Sequence, residues 1–185
     1  MPEGQKTLQS LVTDAKTRQV YVNQILDNLN EDLTDAISNM VGDIESFLSA
    51  ALAGEKSLGI RQITTVVTAL DLKEIVDASG FDEAIEGFLS TYQKLLDDTV
   101  DSMSKSGVSV GLIQTDLEAL TAIAIADDAY WDILGAELSV VARRTVIGSL
   151  VGSVSLKEVV SLVQEALNAS QARAMVIART MVMAY

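Results

Sequence analysis

The chain has no cysteine and no histidine, one proline in 185 residues, and only 4% aromatic residues. Without cysteine there is neither a disulfide framework nor a thiolate metal site, and the redox compartment is left open. Without histidine the usual general base and the commonest metal ligand are missing, so acid–base chemistry falls to carboxylates, Lys and Tyr. No phosphate-binding loop, no dinucleotide-binding glycine pattern and no serine or cysteine triad is present. Gly107 and Gly111 do not form a phosphate cradle. These absences point away from an enzyme, and no cofactor or metal is expected.

Long uninterrupted apolar runs are also lacking. The most hydrophobic stretch, residues 119 to 152, is broken by Asp127, Asp128, Asp132, Glu137, Arg143 and Arg144. A spanning helix needs about 20 largely apolar residues, so no transmembrane segment is expected. The first ten residues, MPEGQKTLQS, have no apolar core of the kind that marks a signal peptide.

What the chain does have is aliphatic and acidic. Apolar residues make up 49%, carried by Ala, Leu, Val and Ile, which favours helices with aliphatic seams over a sheet. The net charge of −13 is unevenly spread. Residues 1 to 138 hold 24 acidic and 8 basic side chains, whereas residues 139 to 185 hold 2 and 5. The body repels nucleic acid and the tail does not; docking of the tail on an acidic neighbour is favoured over direct contact with DNA.

The periodicity predicts an all-α chain, an elongated helical bundle with long helices at about 6–53 and 116–150 and a C-terminal helix at 155–185. In the first, Ile25, Leu29, Leu33, Ile37, Val41, Ile44 and Leu48 recur at steps of three and four. The pattern fits one long helix or two nearly collinear ones, packed within one bundle or between subunits. Gly54 marks its stop. The next segment, 60–78, carries a β-branched run from Ile63 to Val67 yet has no second strand to pair with, so it is read as helix. Asp71 and Glu74 at capping-box spacing mark a break near Leu70. Ser79 and Gly80 end it, and Asp82 is the expected N-cap of a helix running to about Ser104.

Residues 106–114, rich in Ser, Gly and Val, read as a loop or hinge between an acidic N-terminal helical region, 1–105, and a C-terminal helical region, 115–185. Thr115 with Glu118 opens the second long helix, and Ser155 with Glu158 opens the last. Asp127, Asp128 and Asp132, beside Tyr130, are the nearest approach to a catalytic cluster. Adjacent helical residues point about 100° apart, so this is read as a solvated face or an ion-pair partner for Arg143 or Arg144. Asp97, Asp98 and Asp101 are read the same way. Trp131, the single tryptophan, is read as a core or interface anchor.

One local pattern goes further. The stretch 145–185 ends in RAMVIARTMVMAY, with Arg173, Ala174, Ile177, Ala178, Arg179 and Thr180. It resembles the R-A-x-x-I-A-R-T region of phage minor head, or head morphogenesis, proteins of the family related to phage Mu protein F, with Ala184 and Tyr185 matching more loosely. Met181 stands where many relatives carry an acidic residue. The resemblance implies a virion component near the portal or the inner capsid surface, made in the host cytoplasm, with portal, neck or capsid proteins as partners. Arg173, Arg179, Thr180, Tyr185, Trp131, Arg143 and Arg144 are the candidate interface residues of a helical homo-oligomer. Two other readings stand beside it. One is a membrane-active or DNA-translocation-associated ejection protein, suggested by a mean hydropathy of +0.30; the other is a cytoplasmic helical adaptor.

Overall fold

Helix α1 runs unbroken from Glu3 to Ala51, 49 residues in the computed structural model. At 1.5 Å per residue it is about 74 Å long. The structure describes residues 3–53, 59–105, 131, 133–152 and 154–183. Val22, Ile25, Leu29, Leu33, Ile37, Ile44 and Leu48 are all buried along one side of α1, which therefore forms the spine of the core. The periodicity fits one long helix or two nearly collinear ones; the single helix forms, and Gly42 does not interrupt it.

Two short helices follow, α2 (Ile60–Ala69) and α3 (Leu72–Ala78). The β-branched run is helical because Ile63, Val66 and Val67 bury one face, and packing outweighs weak propensity. The hydroxyls of Thr64 and Thr65 donate back to the carbonyls of Ile60 and Arg61. The break falls at Leu70, as the spacing predicts: the Asp71 carboxylate accepts the Glu74 N–H at 3.1 Å.

Helix α4 (Phe81–Lys105) begins one residue before the expected cap. Gly80, at φ 91°, turns the chain in a conformation that side-chain-bearing residues rarely adopt, and Ser79 Oγ accepts the Phe81 N–H. Asp82 accordingly lies inside the first turn, where its charge suits the helix dipole.

Helix α5 occupies 131 and 133–151 of the described residues, and α6 spans Leu156–Met183. The start of the second long helix, its Thr115–Glu118 cap, the 106–114 loop, the Asp127, Asp128 and Asp132 cluster, and the turn after Gly54 lie outside the described residues.

Three sets of contacts fix the arrangement. Asn39 Nδ2 on α1 donates to the Ser79 carbonyl just before α4, and α6 meets Thr34 on α1 through Gln171 and Tyr92 on α4 through Met181, so α1 and α4 run antiparallel. Trp131 meets Phe88, while Gly135 lies against Phe81 and Asp82, so rising numbers on α5 meet falling numbers on α4. Arg173 on α6 reaches Glu137 on α5, and only a short turn separates the two helices, which makes them a hairpin. The long helices thus form an up-and-down bundle, with α2 and α3 inserted in the α1–α4 connection. A single hydrophobic cluster runs through the six described helices, from Val22 to Val182. Among the described residues there is no strand, and no helix is long and apolar enough to cross a membrane.

Candidate functional site

Helix α6 and its neighbour α5 carry six of the seven residues singled out by sequence. The opening of α6 is tied by a reciprocal cap. The Ser155 N–H donates to Glu158 Oε2 at 3.0 Å, the Ser155 hydroxyl donates to the same oxygen at 2.7 Å, and the Glu158 N–H reaches Ser155 Oγ at 3.4 Å. The Ser155 hydroxyl and then its backbone N–H favour the charged carboxylate, so the Glu158 carboxyl titrates below its ordinary value.

One face of α6 is set into the bundle. Val159, Val163, Leu167, Ala174 and Ala178 are completely buried. Gln171 Nε2 donates to Thr34 Oγ1 at 2.8 Å and to both Asn30 oxygens at 3.2 Å, joining α6 to α1. Tyr92 on α4 donates its hydroxyl to the Met181 carbonyl at 3.3 Å. Sequence reasoning missed Gln171, since a polar residue at the margin of an apolar stripe reads as surface.

The other face is solvent-exposed and carries the basic residues. Arg173 pairs with Glu137 of the same chain at 3.7 Å, both side chains about half exposed at 60% and 50%. Such a pair contributes roughly 0–1 kcal/mol. Arg179 and Thr180 are exposed, and the Thr180 hydroxyl bonds back to the Val176 carbonyl at 2.8 Å. Arg143 and Arg144 are exposed on α5. Trp131 is turned into the core, 3% exposed, with its ring edge-on to Phe88 at 6.2 Å between centroids. It anchors α5 to α4. Tyr185 lies outside the described residues.

Among the surface grooves are two that lie between helices. One, of about 380 Å³, lies between α1 and α4 and is lined by Asp32, Asp35, Asn39 and Glu83 among others. The other, of about 230 Å³, lies between α2 and α5 and is lined by Ile60, Ile63, Val67, Ile147 and Val151 together with two threonines. Among the described residues no three carboxylates converge as a cation site requires. The arrangement offers exposed charge and apolar surface on rigid helices, which suits binding another macromolecule. The chain matches no protein-family model, no curated protein and no solved structure.

Proposed function

We propose that this chain is a non-enzymatic structural protein of a phage particle, a minor head, portal-proximal neck or internal capsid component, that works by helix-mediated assembly. The observation that carries the assembly reading is the exposed side of α5 and α6. Ile133, Val140, Val151, Leu162 and Val176 are between 42% and 65% exposed there, on helices whose opposite sides are sealed into the core. Scattered exposed aliphatics need no explanation, but a row of them beside basic residues is what an interface provides.

The virion setting rests on the resemblance of Arg173, Ala174, Ile177, Ala178, Arg179 and Thr180 to the minor head family. The partners are further copies of the chain and portal, neck or capsid proteins. The acidic body and basic end supply complementary charge for such contacts, with DNA contact at the tail the weaker alternative. Fractionation of phage particles tests this setting directly. The chain is expected to sediment with particles in a fixed ratio to the portal protein; recovery solely in the soluble fraction would overturn it.

A further inference from the structure

We infer that the outer face of α5 and α6 is a self-complementary interface, on which a second copy of this chain packs antiparallel, α5 upon α5 and α6 upon α6. The inference rests on the assembly reading above and gives it a surface and a symmetry.

Besides its buried side, α5 has a second stripe at steps of four and three: Ile133, Glu137, Val140, Arg144, Ile147 and Val151. All six are exposed, Ile147 and Val151 at the edge where the face borders the groove to α2. Four are β-branched aliphatics, and the two charges have opposite sign. From Ile133 to Ile147 the stripe is symmetric about Val140. Ile133 lies seven residues before it and Ile147 seven after; Glu137 lies three before it and Arg144 four after. Turning a second α5 end over end about Val140 therefore lays Ile133 on the other copy's Ile147, Val140 on Val140, and Glu137 beside Arg144.

Helix α6 repeats the pattern. Leu162 and Val176 each stand seven residues from Ala169, while Glu165 and Arg173 each stand four residues from it, on opposite sides. All five are exposed. The Glu137–Arg173 contact sets the level of the two helices, because in an antiparallel hairpin three residues forward on α5 matches about three backward on α6. Val140 is thus level with Ala169 and Ser170. One two-fold axis passes both centres. Glu137 already meets Arg173 within its own chain; the rotation that brings it beside Arg144 of the second copy also brings Glu165 beside that copy's Arg173, which extends the pair into a charge network, and it places Leu162 against Val176.

This self-matching is what an isologous interface requires: a residue i that meets j on the partner must offer j its own i. The acidic α1 and α4 surfaces do not offer it, since among the described residues their exposed positions are mostly Asp, Glu, Asn, Gln, Ser and Thr, with Val20 the one exposed large aliphatic. The shared length of 133–151 is about 28 Å, and two helix widths are about 20 Å, which gives a flat footprint of roughly 560 Å² per copy. That is at the lower end for specific contacts, so the dimer is expected at micromolar concentrations.

Because the chain has no cysteine, single cysteines report the geometry directly. Under mild oxidation Val140→Cys is expected to give a covalent dimer in high yield, as is the pair Ile133→Cys with Ile147→Cys. Val20→Cys, 67% exposed on α1, is expected to stay uncross-linked. Val140→Glu is expected to weaken self-association at least tenfold while leaving helicity unchanged and, at concentrations where the parent is monomeric, the melting temperature as well, since Val140 is 46% exposed. An assembly that ignores Val140→Glu, with no Val140→Cys dimer, overturns this face and leaves the assembly reading standing. A strictly monomeric protein at all concentrations overturns both.

Discussion

The side-chain amide of Gln171 donates to the Thr34 hydroxyl oxygen across the α1–α6 contact at 2.8 Å. Thr34 in turn donates to the Asn30 carbonyl, so one polar ladder on α1 receives α6 at a defined height. Gln171→Leu keeps the packing and removes the donor. It is expected to cost about 0.5–1.5 kcal/mol, a fall of a few degrees in melting temperature. Chemical denaturation of the two proteins measures it; no change would show the ladder to be incidental.

Two glycines are expected to respond in opposite directions. At Gly42, inside α1, a Cβ would meet nothing within 4 Å, so Gly42→Ala should stabilise by about 0.5–1 kcal/mol. At Gly80 there is equal space but φ is 91°, so Gly80→Ala should destabilise by about 1 kcal/mol or more. Thermal melts of the two variants side by side read the sign.

The centre of α1 should tolerate least. Leu33 is completely buried, and Leu33→Ala is expected to cost about 2–5 kcal/mol through lost burial and the cavity left behind. Asn28→Ala, on the exposed side of the same helix, should stay within about 0.5 kcal/mol. Equal losses would contradict the assignment of faces.

The α6 cap predicts a pH dependence. The Glu158 carboxyl titrates below its ordinary value of 4.5 because Ser155 hydrogen-bonds its charged form. Folding is thereby favoured when Glu158 is ionised, so the contribution is complete above about pH 4.5 and is lost as pH falls through the lowered value. Glu158→Gln should therefore be less stable than the parent at pH 7, with the gap closing toward pH 3. A gap that stays constant over that range would remove the charge from the account.

How far the sequence reveals this fold depends on the range of the interaction. Local chemistry is legible: the Asp71 and Ser155 caps, the break at Leu70 and the periodic core of α1 all follow from spacing. The start of α4 was displaced by one residue, because Asp82 looks like a cap whereas a positive φ at Gly80 begins the helix earlier. The β-branched run at Ile63 to Val67 reads ambiguously until its buried face is known. Contacts between distant residues leave no local mark. Nothing near Gln171 signals Thr34, and nothing near Arg173 signals Glu137, 36 residues away. The second stripe of α5 is visible as spacing, but it acquires meaning only once the opposite side is known to be buried.

Basic residues at the end of the chain should steer association with acidic neighbours. Arg179→Ala is expected to weaken assembly more than Lys56→Ala, with the difference shrinking at high salt. Equal effects of the two variants would place Arg179 among inert surface charges.

Assembly itself is tested most directly by the mass in solution of the intact 19.7 kDa chain, measured by sedimentation equilibrium across micromolar concentrations. The account predicts a mass that rises with concentration to at least twice that of one chain. A single-chain mass throughout would contradict it.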